Sequence, residues 1–264
     1  MKKLRFGIFS IILFSAFLVF LWLPSKYVVP VMMYHSIDIA KTDFARANTV
    51  SPENFARQMR FLKEHDYKVL TPDEYVEITR SGREFPSKSV LITFDDGLLD
   101  NYTAAYPILK QYGFSAVMFI PVADVGTAPG RWDVPQMSWE QLKEMAAHGI
   151  AIGSHTITHA YLPDMGMDAA RREIADSKSI LENKLGCRVD YLAYPTGGFS
   201  KAIKDLAAKA GYKAAFTTNR GHDRMNHDLF EIKRIRFQNT DGPLVMQIKL
   251  SGYYNFFRQS KKSY

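Results

Sequence analysis

Residues 89–97 read Ser-Val-Leu-Ile-Thr-Phe-Asp-Asp-Gly. The run from Ser89 to Phe94 is largely apolar and rich in β-branched residues. Such a run is typical of a strand that is covered on both faces in a parallel sheet. Two adjacent carboxylates follow it directly. The sequence therefore predicts a buried strand whose carboxyl end carries a pair of aspartates.

Segments of two kinds alternate on both sides of this strand. Further strands are expected at 27–34, 67–70, 115–120, 150–154, 191–194, 213–218 and 231–237. Helices are expected at 52–64, from 71, at 101–112, 138–148, 168–185 and 200–210, and from 243, several of them opened by capping residues. The alternation predicts βαβ units. At this length it favours a distorted (β/α) barrel of about seven to eight parallel strands over an open sheet.

The composition sets limits on the function. The chain has 264 residues, 47% of them apolar and 23% charged, with a formal charge of +7, which suits a single globular domain. No Lys/Arg run interleaved with aromatic residues predicts nucleic-acid binding. The single cysteine, Cys187, excludes an intramolecular disulfide and a cysteine-based zinc site.

The N-terminal segment predicts attachment to a membrane. Lysines and an arginine within residues 1–5 precede an apolar, uncharged run from Gly7 to Leu23, at the short end of what spans a bilayer. No cleavage site of small residues ends the run. We expect residues 1–24 to be a single-pass transmembrane signal anchor in the cytoplasmic membrane, and 25–264 to be a domain facing outward. The alternatives are a cleaved signal, which gives a secreted protein, and a buried N-terminal helix.

Candidate chemical residues lie where the predicted strands end, which is where a β/α barrel carries its active site. His155 and His159 are four residues apart, and an aspartate from another strand could complete a three-ligand metal site with positions left for water and substrate. Asp95 and Asp96 are costly to bury together unless a cation offsets them. The alternative for this pair is helix capping, a role that Asp100 could also fill.

Three segments resemble the motifs of the polysaccharide deacetylase family, which is also called the NodB-homology family or carbohydrate esterase family 4. They are Thr-Phe-Asp-Asp-Gly at 93–97, His-Thr-Ile-Thr-His at 155–159 and Tyr-Pro-Thr-Gly at 194–197. The likeness covers most of residues 31–237, with the motifs in the expected order. It implies a hydrolase that removes N-acetyl groups from an extracytoplasmic amino-sugar polysaccharide, either poly-N-acetylglucosamine-like or peptidoglycan.

The resemblance also implies a role for each matching residue. Asp95 would be the general base, and Asp96, His155 and His159 would bind a divalent metal, with zinc expected and cobalt or nickel as alternatives. The backbone N–H of Thr196 would stabilise the oxyanion. The wall of the site beside it would be formed by Tyr194, Pro195, Gly197 and Gly198.

The general acid departs from the commonest family pattern, because no Leu-x-His segment lies near the C-terminus. The stretch Val-Met-Met-Tyr-His-Ser at 31–36 instead resembles the opening of the branch that deacetylates exported poly-N-acetylglucosamine. This assigns the acid to His35, which could alternatively only hydrogen-bond within the site. Arg234 is expected to support Asp95, and Arg236 is equally placed because residues two apart on a strand share a face.

Some aromatic residues and histidines have open roles. Trp132 with Asp133, and Trp139, could line a sugar groove, although Trp139 could equally pack at a helix start. We interpret His65 and His148 as structural residues at helix C-termini. The alternatives to deacetylation are a glycan O-acetyl esterase, a small cyclic-amide hydrolase, or a non-catalytic glycan-binding module. An intact Asp95 argues against the last of these.

Overall fold

The computed structural model describes residues 26–39, 47–128 and 134–263. The strands are β1 Val31–Tyr34, β2 Lys68–Val69, β3 Ser89–Phe94, β4 Val117–Ile120, β5 Ala151–Ser154, β6 Tyr191–Ala193, β7 Ala214–Thr217, β8 Ile232–Lys233 and β9 Ile235–Arg236. The α-helices are α1 Pro52–Glu64, α2 Pro72–Ser81, α3 Tyr106–Tyr112, α4 Trp139–Ala147, α5 Met167–Leu185, α6 Lys201–Lys209, α7 Pro243–Leu250 and α8 Tyr254–Phe257.

The strands form one parallel barrel. Their order is β8-β7-β6-β5-β4-β3-β1-β9, and β2 pairs with β3 beside this path. β8 pairs with β7, and β9 pairs with β1. Since Arg234 alone separates β8 from β9, the segment 232–236 joins both ends of the sheet and closes it. The predicted (β/α) barrel is confirmed.

Two layers of apolar side chains hold the barrel together. Alternate residues of β3 belong to different layers: Leu91 packs with Phe119 and Phe216, while Ile92 packs with residues of the surrounding helices. This alternation follows from the two-residue period of a strand. It explains why the 89–94 run is apolar at nearly every position, because both faces of β3 are buried.

The predicted helix starts at Ser51, Thr71 and Ser138 are confirmed by their capping contacts. The Ser51 side chain accepts a hydrogen bond from the Asn54 N–H. Thr71 and Ser138 each form a reciprocal capping box with the residue three positions later. These polar contacts satisfy N–H groups that the first helical turn leaves without intrahelical partners.

Three predicted elements differ in the structure. The 27–34 strand pairs only from Val31, and the 231–237 strand is divided in two at Arg234. The 101–112 helix opens with a π-helical turn, Asn101–Ala105, before α3. Asp100 does not cap this turn with its side chain, because its carboxylate accepts hydrogen bonds from Ser36 Oγ and the Ile37 N–H instead.

The predicted N-terminal anchor, residues 1–24, lies outside the described residues. Within the ranges that the structure describes, none of the helices combines the length and the apolar character needed to cross a bilayer.

Candidate active site

Asp95 lies at the carboxyl end of β3, buried inside the barrel mouth. Its two oxygens accept hydrogen bonds from Nη1 and Nη2 of Arg234, at 2.6 and 2.7 Å. Burial alone would raise the pKa of the Asp95 carboxyl. The charge and hydrogen bonds of Arg234, together with His155 and His35, outweigh that effect and hold the pKa well below its usual range. Asp95 is therefore a fixed carboxylate.

Arg234 is fully buried at the point where the barrel closes. Its Nε donates to the Thr217 carbonyl at 3.0 Å, and Nη1 also donates to Thr93 Oγ1 at 3.2 Å. Strand alternation left Arg234 and Arg236 as equal candidates for supporting Asp95. The structure places the Arg234 guanidinium on Asp95, whereas Arg236 is exposed.

Asp96, His155 and His159 form a cluster of three metal-type ligands. Asp96 Oδ1 lies 3.6 Å from His155 Nε2 and 3.4 Å from His159 Nε2, and all three ligand atoms lie within 4.8 Å of one another. Two ligand atoms bound at about 2.1 Å to one zinc ion with tetrahedral angles lie about 3.4 Å apart. The donor types and their spacing therefore fit a divalent metal of this kind.

The His155 ring is held in the form that a metal requires. Its Nδ1 lies 2.7 Å from the Ala193 carbonyl, an acceptor, so Nδ1 carries the proton and Nε2 keeps its lone pair. Burial lowers the pKa of His155 to about 4, and Asp95 offsets this only in part. The imidazole is therefore neutral at pH 7 and able to act as a ligand.

Left-handed backbone is concentrated at this site. Four residues that are not glycine have positive φ here: Asp96 (74°), Thr156 (68°), His159 (58°) and Thr196 (53°). Each such residue costs about 1–3 kcal/mol unless its surroundings hold it. Part of the support is local, since the His159 N–H donates to Thr156 Oγ1 at 3.1 Å.

His35 directly follows β1, and its side chain points toward Asp95. Its Nε2 lies 3.9 Å from Asp95 Oδ2. Burial lowers the pKa of His35 to about 4; the Asp95 carboxylate opposes this shift, and Arg236 and Arg234 reinforce it. The backbone around His35 is fixed, because Asn101 Nδ2 donates to the His35 carbonyl at 2.7 Å.

The turn after β6 forms another wall. β6 lies beside the histidines, as the Ala193 contact with His155 shows, and the chain then turns through Pro195–Gly197. Thr196 is exposed, and its N–H makes no hydrogen bond to any residue that the structure describes. The Tyr194 side chain does not reach this wall. It is fully buried, its hydroxyl donates to the Phe230 carbonyl and its ring stacks on Phe199.

The remaining sequence-predicted residues lie away from the cluster. Trp139 packs against the outer core at the start of α4, which agrees with the alternative that it packs at a helix start. His65 and His148 end α1 and α4, each with Nδ1 on a carbonyl of its own helix. Trp132 and Asp133 lie outside the described residues.

Two buried acidic residues near the site were not assigned from the sequence. Asp100 holds the segment after His35, and Glu173 of α5 accepts hydrogen bonds from the loop between the two histidines. No pattern in the sequence distinguishes them from surface acids. Their burial and hydrogen bonds arise only from the way the helices and strands pack together.

The comparisons with known proteins agree with this geometry. Residues 82–215 match the family model described as polysaccharide deacetylase. The Bacillus subtilis protein YxkH, whose name assigns it to the same group, is 35% identical over 213 residues, 81% of this chain and 72% of its own. The poly-β-1,6-N-acetyl-D-glucosamine N-deacetylase of Staphylococcus epidermidis is 30% identical over 72% of this chain and 68% of its own.

A solved structure shows the same fold. The Streptococcus pyogenes deacetylase PplD, in complex with acetate, superposes with a TM-score of 0.76 at 30% identity, over 84% of this chain and 97% of its own. The barrel and the polar cluster at its strand ends thus define a hydrolase. Within that class, the chain belongs to the polysaccharide deacetylase family.

Proposed function

We propose that this deacetylase is metal-dependent and removes N-acetyl groups from an amino-sugar polysaccharide outside the cytoplasmic membrane. The observation that carries the proposal is that two groups of functional residues lie together at the carboxyl ends of the barrel strands. One is the cluster of Asp96, His155 and His159, and the other is Asp95, held by Arg234 within 3.9 Å of His35. A protein that only binds glycans would not need the second group.

Asp96, His155 and His159 would hold the metal. Nitrogen and oxygen donors at this spacing suit zinc, with cobalt or nickel as alternatives. When bound, the ion supplies an acidified water and a polarised acetyl carbonyl.

The protein's own groups carry the protons and the developing charge. Asp95 accepts a proton as water attacks the acetyl carbon, and the Arg234 bidentate contact keeps its oxygens aimed. The Thr196 N–H donates to the oxygen that becomes negative. The carbon–nitrogen bond then breaks, the sugar nitrogen takes a proton to become an amine, and the acyl group leaves as acetic acid, which ionises to acetate in solution.

His35 delivers that last proton. Its pKa of about 4 means that the imidazole is neutral at pH 7 before the reaction begins. Asp95, whose pKa is held low, gives up a newly accepted proton readily, and its Oδ2 lies 3.9 Å from His35 Nε2. The proton taken from water thus passes through His35 to the leaving nitrogen, and no net proton is consumed within the site.

The substrate class is supported by the relatives. Proteins named poly-β-1,6-N-acetyl-D-glucosamine N-deacetylases match over about seven-tenths of this chain. This favours a poly-N-acetylglucosamine-like polymer, with peptidoglycan as the other candidate. The cationic start and apolar run of residues 1–24 support attachment to the cytoplasmic membrane, with the catalytic domain outside.

The test is acetate release by the purified full chain. The protein is stripped with a chelator, reloaded with zinc, cobalt or nickel, and offered β-1,6- and β-1,4-linked N-acetylglucosamine oligomers. We expect release that requires the metal and falls at least about 100-fold in Asp95→Asn, because the base is lost. Release without metal would overturn metal dependence, and cleavage of O-acetyl esters alone would identify an esterase.

A further inference from the structure

The loop between the two candidate histidine ligands depends on support from outside itself. Thr156 and His159 both adopt left-handed backbone, which a chain of non-glycine residues leaves readily when nothing holds it. On one side, the Val122 and Ala123 N–H groups donate to the Thr156 and Ile157 carbonyls, at 3.1 and 2.9 Å. The Ile157 and Thr158 N–H groups of the same loop need hydrogen-bond acceptors as well.

Glu173 supplies those acceptors. Its Oε2 accepts from the Ile157 and Thr158 N–H groups at 2.8 and 2.9 Å, and its Oε1 accepts from Thr158 Oγ1 at 2.7 Å. The side chain accepts at both oxygens, as an ionised carboxylate does. It is 7% exposed and points inward from α5, a helix otherwise rich in exposed charges.

A second residue on the same face of α5 acts on the same strand end. Ser177 follows Glu173 by four residues, so the two side chains lie one turn apart on one face. Ser177 Oγ lies 2.8 Å from Ser154 Oγ, which in turn accepts from the Thr156 N–H at 3.0 Å. The α5 face therefore accepts directly from the Ile157 and Thr158 N–H groups, and it contacts Ser154, which accepts from the Thr156 N–H.

This contact has a functional reason as well as a structural one. Burying a carboxylate is costly unless hydrogen bonds offset the loss of water, and a neutral core residue on α5 would avoid that cost. The carboxylate fixes the loop, because one of its oxygens accepts hydrogen bonds from both N–H groups midway between His155 and His159. With that loop fixed, both imidazoles face Asp96 at 3.6 and 3.4 Å.

We propose that Glu173 is a positioning residue that sets the spacing of His155 and His159 for metal binding. The inference rests on the proposed metal site. Glu173 makes no contact with the cluster itself and acts through the loop, in the way that outer residues orient the ligands of other metal sites.

The experiment measures zinc affinity by chelator competition in the full chain. Glu173→Ala removes all three acceptor contacts, and we expect zinc to bind about 10- to 100-fold more weakly. Glu173→Gln keeps one oxygen for the two N–H groups, and its amide can donate to Thr158 Oγ1, whose hydroxyl can reverse its role. Zinc affinity in this variant should stay within about threefold of the unaltered protein.

Asp176→Ala is the matched control, because it removes an exposed acid from the same helix. Its zinc affinity should be unchanged. Thr158→Val removes the hydroxyl that donates to Glu173 Oε1 and gives a milder variant should Glu173→Ala fail to fold; a several-fold loss of affinity is expected. Melting temperatures of the metal-free proteins are measured alongside.

The outcomes separate the two proposals. Zinc binding by the unaltered protein tests the metal site, and its absence would overturn both ideas. If the unaltered protein binds zinc, while Glu173→Ala or Thr158→Val lowers the melting temperature without weakening zinc binding, Glu173 is structural only and the inference is wrong. Weaker binding in Glu173→Ala that is restored in Glu173→Gln supports it.

Discussion

Asp95 and Asp96 are neighbours in the chain, yet their carboxylates meet opposite environments. Asp95 is paired with a buried guanidinium, which keeps it ionised and fixes both of its oxygens. Asp96, in left-handed backbone at φ 74°, turns its Oδ1 toward two imidazoles instead. Two identical side chains thereby become suited to different tasks: a base that moves a proton, and an anionic ligand.

Comparing substrates with different leaving groups can separate the role of His35 from that of Asp95. An amine leaves only when it is protonated, whereas an activated phenolate leaves without an acid. His35→Asn should therefore lower kcat/KM for an N-acetylglucosamine oligomer by about 100- to 1,000-fold, and that for an aryl acetate only a few-fold. Asp95→Asn, which removes the base, should impair both reactions. Equal losses on both substrates in His35→Asn would show that His35 is not the acid.

At the scale of the elements, the sequence predicts the barrel and most of its elements, but not how the last predicted strand closes it. Capping residues and apolar runs are local signals, so helices α1 and α4, strand β3 and the start of α2 were predicted almost to the residue. The segment 231–237 reads as one strand. It is divided because it must pair with β7 at one end and β1 at the other, a constraint that no local pattern contains.

The candidate site shows the same limit. Asp95, Asp96, His155 and His159 were predicted because their types and order form motifs, and the structure brings them together. Glu173 and Asp100 could not be predicted, because an acid on a helix is most often solvated. The Tyr194 side chain was expected at the site from its place in a motif, but Tyr194 follows β6 with its side chain packed into the core.

The turn after β6 allows a prediction about a single glycine. Gly197 has φ 75°, and an added Cβ would collide with the Thr218 side chain and backbone. Gly186, which ends α5 with φ 69°, has no atom within 4 Å of that position. Gly186→Ala should thus cost only about 1–2 kcal/mol in free energy of unfolding, from left-handed backbone alone.

Gly197→Ala carries the same backbone cost with a collision added. We expect a loss of roughly 3 kcal/mol or more, together with a fall in kcat as the Thr196 N–H is displaced. Chemical denaturation and steady-state kinetics of the two variants check this. Equal stability losses in both variants would mean that Thr218 moves aside freely.

At the scale of the whole molecule, the segment that closes the barrel also holds Asp95 in place. The segment that completes the ring carries Arg234, whose side chain reaches Asp95 on β3 and the Thr217 carbonyl on β7. Asp95 is therefore held by Arg234 only when the first and last strands have met. The candidate ligands come from β3 and from the loop after β5, and these strands are joined through β4, so the ligand cluster does not depend on the closing segment in the way that Asp95 does.

The two buried imidazoles of the site make the stability of the metal-free protein depend on pH, with a predictable sign. Burial lowers the pKa of both His35 and His155 from 6.5 to about 4. Between pH 6.5 and 4, the unfolded chain therefore binds more protons at these positions than the folded chain. The free energy of unfolding must then fall as the pH falls through this window.

The magnitude follows from about 1.4 kcal/mol for each pKa unit, which gives at most about 3 kcal/mol for each imidazole at the acid end of the window. Asp95 adds no loss there, since its lowered pKa stabilises the fold until the pH drops below about 4. Urea denaturation of the chelated protein between pH 7 and 4 measures the slope. The double variant His35→Asn/His155→Asn should show a much flatter dependence, because neither position can then take up a proton on unfolding. An unchanged slope in that variant would place the acid sensitivity elsewhere and would show that these imidazoles are not buried in their neutral form.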